Sequence, residues 1–505
     1  MNFGIERCIG MNHQQAPLFD ALLAHVKEDV ASFHVPAHKH GNSVDSEFVS
    51  FVGKNVMEID LTLTEDLDHF HNPSGVILEA ERYAAHAFGA DHAFFLVNGT
   101  TCGIQAMILS TCKPGDKILV PRNAHKSVVS GLIFSGATPI YIQPKLSDEI
   151  DFSLDIRVED VQLALDENPD IRALIILNPT YFGVVSDLKR IVEICHEKNV
   201  LVLVDEAHGG HFYFHDDLPL TAMQAGADMA AISTHKMTGS MTQSSILLVR
   251  DKNRFARHDV QAVLNLLQTT SPSYVLLASL DTSRREMKLN GNKLLQRTID
   301  YANWVRSELK TVSGCTIFNP SEVVGGYCFG YDPTKIVFNA KPLGVLGGKL
   351  KSDLRKQYKV ELELSYFFSV LALFTIGDSE DNVKRLVNAV RCLFESYKQE
   401  AILEFPPFPQ TIPEHVLSPR DAFIRKTDLK SVSLEGAAGK ISAETIMAYP
   451  PGVPVIAPGE RISKEIIQYI QSMRGHVMNL QGTKDPNLEN IMVFDCSSFI
   501  NSTEN

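Results

Sequence analysis

Lys236 and Asp205 are the residues whose types and spacing first raise a question of chemistry. Lys236 stands in Ser-Thr-His-Lys-Met-Thr-Gly-Ser (233–240), just after the half-apolar stretch ADMAAI, and Asp205 directly follows the apolar run Leu201–Val204. A lysine close to a buried strand is costly unless it is paired or chemically employed. The aspartate alone reads as a strand-end cap or turn former, and the two together read as a salt bridge. They also read as the halves of a pyridoxal phosphate site. The aldehyde of that cofactor takes an amine as a Schiff base, and its ring nitrogen keeps a proton beside an anion. A desolvated lysine loses its charge readily, which suits it to the bond.

Further loops offer compatible groups. VNGTTCG (97–103) places Gly99, Thr100 and Thr101 between a strand and a helix, where free amides and hydroxyls either bind an anion or simply cap the helix. Ser233, three residues before Lys236, adds another possible phosphate ligand. His125, in PRNAHKSV, reads as a surface or capping histidine, or as an imidazole laid flat on a cofactor ring. The small residues Thr238, Gly239 and Ser240 leave room for a cofactor to approach.

These groups need elements to hold them. AFFLV (93–97), KILV (117–120), ALIIL (173–177) and VLVLV (200–204) are continuous apolar runs, each followed by a polar loop, and amphipathic stretches separate them. That alternation predicts an α/β domain with a mostly parallel sheet. Each chemically interesting loop follows a predicted strand's carboxyl end, the edge at which open α/β sheets bind ligands. SPSYVLLASLDTSRREMKL (271–289) opens a long helix, the stretch around Pro406, Pro407, Pro409 and Pro413 reads as an extended connector, and AYPPGVPVIAPGE (448–460) is too rich in proline for regular structure. The expected division is an arm over 1–40, a large ligand-binding domain over 41–275, a smaller α/β segment over 276–405 and a C-terminal domain over 406–505.

Composition excludes several classes. The chain has 505 residues, and its 47 basic against 60 acidic residues, a net charge of -13, argue against a nucleic-acid-binding surface. No apolar run is long enough to span a membrane, and no secretory leader is recognisable at the start. The eight cysteines include no C-x-x-C pair and no cysteine-histidine cluster at zinc spacing, so free thiols, a cytoplasmic location and no metal are expected.

PRNAHKSV, NPTYFGVV, VDEAHGGHF, STHKMTGSMTQSS and TTSPSYVLLASLD together resemble the bacterial ornithine/lysine/arginine decarboxylases, pyridoxal phosphate enzymes. LSPRDAF and GKISAETIMAYPPGVPVIAPGE are similar to that family's last domain. The resemblance implies a three-layer aspartate-aminotransferase-like large domain (PLP fold type I) with smaller α+β C-terminal domains. It implies Lys236 as the Schiff-base lysine, Asp205 as the ring-nitrogen partner, and His125 and Ala207 on the two faces of the ring. Thr100, Thr101, Ser233 and His235 match residues around the phosphate. Thr270 matches a threonine that reaches the phosphate of a neighbouring subunit, implying a homodimer or higher homo-oligomer with a shared active site. Lys236 or His235 is placed to return a proton to the substrate's α carbon.

The implied substrate is a basic amino acid, with arginine, lysine and ornithine all open. The short build resembles biosynthetic arginine decarboxylases, which favours arginine giving agmatine for polyamine synthesis. Glu444 and Glu460 are candidates for recognising its basic side chain, or else belong to a helix start and a solvated turn. An aminotransferase and a catalytically silent regulatory paralogue are the readings from other classes. One departure is visible: VPAHKHG carries Ala37 where the family commonly has glycine, which would strain the turn if a positive φ is required there.

Overall fold

The apolar runs form strands because each is buried along nearly its whole length, from Val202 to Val204 at 0% exposure to Phe94–Leu96 at 1% or less. The computed structural model describes residues 11–145, 152, 154–251, 254–320, 327–402, 404, 409, 411–425, 427–449, 453–473 and 479–495. Pro406 and Pro407 of the expected connector, the Pro-Pro-Gly of 450–452, the first ten residues of the arm, Cys8 and Cys496 lie outside them. By compactness the chain divides into two units, Met1–Ser110 with Val202–Arg297, and Thr111–Leu201 with Thr298–Asn505.

In the first unit, Leu201–Asp205 runs parallel to Met229–Ile232, with Asp205 opposite Ala231. Ser245–Val249 pairs antiparallel with Met229–Ile232 on one side and with His92–Leu96 on the other. Helix Val76–Phe88 buries Ile77, Ala80, Ala84 and Phe88 at helical spacing, and Gly89 ends it in the left-handed conformation, φ 66°. Its one buried acid, Glu81, accepts from Phe95 N–H at 2.9 Å and pairs with Arg257. Helix Gly99–Thr111 follows the first strand closely. A Cβ on Gly103 would meet Leu96 Cδ1 at 2.9 Å and Ala231 Cβ at 3.0 Å, so only glycine lets this helix lie on the strands. In the turn after Pro36, the positive φ values fall on Lys39, His40 and Gly41. Ala37 is not among them, and the strain weighed for it does not arise.

The second unit holds Lys117–Pro121, which pairs parallel with both Thr138–Ile142 and Ile171–Leu177. Four antiparallel strands follow in the order Leu364–Ser365, Ser369–Leu373, Lys335–Asn339 and Thr316–Ile317. Two three-stranded antiparallel sheets complete the C-terminal part, one centred on Asn490–Phe494 and the other on Ile446–Tyr449, whose partner Val453–Ile456 lies in the proline-rich stretch expected to lack regular structure. One apolar core joins Phe152, Phe182, Val337 and Leu371 to Ile446, Ile466, Tyr469 and Ile491. Burying each such side chain stabilises by about 1.5–3 kcal/mol. The predicted long helix runs from Tyr274 to Leu309. No disulfide joins the described cysteines, and no described helix is long and apolar enough to cross a membrane.

Candidate active site

The first unit gathers most of the chemically distinctive residues at the ends of its strands. Because Asp205 lies opposite Ala231 in a parallel pair, the residues after each emerge at the same edge. After Ala231 the chain passes Ile232 and enters helix Thr234–Met237, which carries His235 and Lys236. Asp205 is 7% exposed and accepts from Ala207 N–H at 3.2 Å, so its carboxylate is fixed against the following turn.

Hydroxyls hold the lysine's helix in place. Thr234 Oγ1 donates to the Ser244 carbonyl at 3.2 Å and accepts from Ser240 Oγ at 2.7 Å, while Thr238 Oγ1 donates to the Thr234 carbonyl at 2.9 Å. The run of small residues after Lys236 is therefore a brace for its helix as well as a source of space. His235 Nδ1 lies 2.8 Å from the same Ser244 carbonyl. Burial, and then the charge of Lys236, hold the imidazole below its ordinary range, which leaves it neutral at pH 7.

A second cluster forms at the start of helix Gly99–Thr111. Thr100 Oγ1 bonds Ser233 Oγ and lies 2.7 Å from Ser245 Oγ, so hydroxyls from three elements meet there, and Thr100 and Ser233 are both buried. Thr101 is exposed beside them. Gly99 has φ 75° and Gln243 φ 84°, and Gln243 Nε2 donates to the Val97 carbonyl. A left-handed glutamine is uncommon, and its place beside a helix N-terminus ties the strain to this turn. Thr270 is exposed, two residues after Gln268, which accepts from Val97 N–H at 2.9 Å.

The residues that sequence reasoning missed lie in the loop after Asp205. His208 is 5% exposed, with Nε2 3.0 Å from Lys236 Nζ. Glu206 is fully buried, accepting from Tyr213 Oη and from Ala222 N–H at 2.8 Å. Burial, reinforced by the charge of Asp205, pushes its carboxyl up to about 8, so it stays protonated at neutral pH. The signal was present in VDEAHGGHF, where a second acid and two histidines follow Asp205 within six residues.

His125, Glu444 and Glu460 belong to the second unit. His125 is the N-cap of helix Lys126–Ser135; Ser127 N–H donates to its Nδ1 at 3.2 Å, which leaves Nε2 to carry the ring proton of the neutral form. Arg420 closes the other end of that helix by donating from Nε to the Ile133 carbonyl at 2.8 Å. Glu460 is completely buried and bidentate to Arg122, with contacts of 2.5 and 2.7 Å, and His415 Nε2 lies 3.0 Å from it. Burial raises the Glu460 carboxyl, but the charges and hydrogen bonds of Arg122 and His415 together outweigh it and hold the group down at about 2. Glu444 is half-buried, and its oxygens accept from Lys484 N–H at 2.6 Å and Met492 N–H at 2.8 Å.

Comparison with known proteins adds to this geometry. The profile of the Orn/Lys/Arg decarboxylase major domain matches residues 16–382, and that of the Orn/Lys/Arg decarboxylase C-terminal domain matches 405–484. An arginine decarboxylase of Bacillus anthracis is 44% identical over 491 residues, covering 96% of this chain and 98% of that protein. One from Bacillus subtilis is 43% identical, with coverages of 96% and 98%. Among solved structures, lysine decarboxylase A from Pseudomonas aeruginosa superposes with a TM-score of 0.81 at 22% identity, covering 95% of this chain and 81% of that one. The serine palmitoyltransferase of Sphingomonas wittichii gives 0.52 at 15% identity, covering 71% and 85%. The two superpositions carry the fold: it is the α/β class expected from the strand pattern, in the aspartate-aminotransferase-like form that the family resemblance implied.

Proposed function

The chain belongs to the Orn/Lys/Arg decarboxylase family and is a decarboxylase; on that premise we propose that it converts arginine to agmatine and CO2, with pyridoxal 5'-phosphate as cofactor, for polyamine synthesis. The observation that carries the cofactor reading is the parallel register of Asp205 with Ala231, which brings a buried carboxylate and the lysine helix to one sheet edge. The hydroxyl cluster of Thr100, Ser233 and Ser245 at a helix N-terminus has the donors that a phosphate monoester takes. The residues present therefore fit the group.

When bound, pyridoxal phosphate supplies an electron sink for the bond that breaks at the substrate's α carbon. In this reading Thr100, Thr101, Ser233 and His235 hold the phosphate, and Asp205 supplies the anion that keeps a proton on the ring nitrogen. His125 and Ala207 confine the two faces of the ring. Lys236 Nζ is the amine that anchors the cofactor, and Lys236, or His235 once it has taken up a second proton, returns a proton to the α carbon. Glu444 is the better of the two acidic candidates for the substrate's cationic side chain. Each of its oxygens accepts one backbone N–H and keeps a lone pair for a cation, whereas those of Glu460 are engaged by Arg122 and by Ala457 N–H at 2.8 Å.

The enzyme works, in this proposal, as a homodimer in the cytoplasm, with Thr270 reaching the phosphate bound by the partner subunit. Support comes from the exposure of Thr270 and of large apolar side chains in the first unit, Phe33 at 96%, Phe51 at 90% and Leu266 at 84%, which a second copy would cover. The division into arm (1–40), cofactor domain (41–275), small segment (276–405) and C-terminal domain (406–505) is proposed as a division by role. The test is direct: the purified protein with pyridoxal phosphate acquires a visible absorbance band, and Lys236→Ala loses both the band and CO2 release.

A further inference from the structure

We infer that His208 is the proton partner of Lys236, a positioning residue that holds the amine and accepts the proton it must shed before it can bond a carbonyl carbon. The inference rests on the cofactor reading above, and it concerns a residue that reading does not use. Nε2 of His208 lies 3.0 Å from Lys236 Nζ, and His208 is 5% exposed. An ammonium has only hydrogens to give, so at this separation the imidazole nitrogen accepts. Transfer breaks an Nζ–H bond and forms an Nε2–H bond; the lone pair stays on Nζ and the positive charge passes to the imidazole. No other reactant is needed.

Both ends of this contact are held by structure. On the lysine side, helix Thr234–Met237 is braced by the Thr234, Thr238 and Ser240 hydroxyls. On the histidine side, Glu206 fixes the loop three ways. Its N–H donates to the Ala231 carbonyl at 3.0 Å, its carbonyl accepts from Gly209 N–H at 2.9 Å, and its buried carboxyl accepts from Tyr213 and Ala222. His208 lies between Glu206 and Gly209 and has little freedom to leave Lys236. The titratable groups on the elements around it are Asp205 and Glu206 at the strand end, His211 and Tyr213 further along the loop, and His235 with Lys236 on the short helix. Lys236 is the cation among them that must lose its charge to react.

The experiment follows capture of the cofactor rather than turnover. Pyridoxal phosphate is added to cofactor-free protein, and the rate at which the visible band appears is measured from pH 5.5 to 9 for the unaltered protein, His208→Gln and His208→Phe, with Tm recorded for each. Glutamine keeps a hydrogen-bonding group near Nζ but cannot take up the proton. The expected result is a capture rate about 10²-fold lower in both variants. The acid-side fall in rate changes its midpoint relative to the unaltered protein, while the final band and the Tm of His208→Gln are retained. A His208→Gln variant that captures cofactor at the unaltered rate with the same pH dependence overturns the proposal. So does slow capture confined to His208→Phe with a lowered Tm, which would make the role structural. A missing band in the unaltered protein is a separate outcome that overturns the cofactor reading itself, and this inference with it.

Discussion

Consecutive acids at the end of Leu201–Asp205 are set to different work by their partners. Asp205 is fixed by Ala207 N–H, whereas Glu206 is buried between Tyr213 and the first turn of helix Ala222–Ala225. Asp205→Asn keeps the shape and removes the anion, so kcat for CO2 release should fall by about 10²–10³-fold while the fold persists, as checked by kinetics beside circular dichroism. Glu206 makes a prediction about stability. Its folded pKa of about 8 lies above the ordinary value near 4.3, so the folded state holds a proton that the unfolded chain releases. Its contribution is fully present below about 4.3 and is lost as pH rises through about 8. Glu206→Gln removes that dependence: between pH 6 and pH 9 the Tm should fall by less in the variant than in the unaltered protein. Equal falls would show that Glu206 does not titrate there.

Helix Gly99–Thr111 shows how an element places a site. Its first turn reaches the hydroxyls of Ser233 and Ser245 because Gly103 lets it lie on Leu96 and Ala231. Gly103→Ala pushes a methyl against Ala231 Cβ, which cannot move aside, and should cost about 1–3 kcal/mol in denaturant unfolding and weaken pyridoxal phosphate binding in the same variant. The strands that position this helix were legible in the sequence. AFFLV was expected at 93–97 and the strand is His92–Leu96; VLVLV at 200–204 corresponds to Leu201–Asp205. Such runs are legible because burial on both faces demands continuous apolar residues. Asp205 and Lys236 were legible for the same reason, each being a polar residue at or just beyond the end of such a run. His208 was not, since nothing in a loop's composition says which of its histidines faces a lysine 28 residues on. Nor was the Arg122–Glu460 pair, whose partners are 338 residues apart and meet only through tertiary packing. Glu444 and Glu460 were both acidic candidates in the last domain, and only their partners decide between them.

At the scale of the whole molecule, the second unit depends on that long-range pair. Arg122 and Glu460 are both almost wholly buried, so removing one partner strands the other's charge. Arg122→Ala should cost about 3–5 kcal/mol of stability. Because Glu460 is held at about 2, its contribution is present above about 4.3 and is lost as pH falls through about 2, which places the pair among the causes of acid unfolding. On the proposed homodimer, Leu266→Arg, at a side chain 84% exposed, should shift sedimentation from dimer to monomer and lower activity with it, since Thr270 would lose the partner's phosphate. The central claim is the reaction, and it is tested most directly by kcat/KM for CO2 release from arginine, lysine and ornithine with pyridoxal phosphate present. Release from arginine at a kcat/KM well above the other two, with agmatine as product, is the expected result. Release of no CO2 from any of the three, or formation of a keto acid in its place, would contradict it.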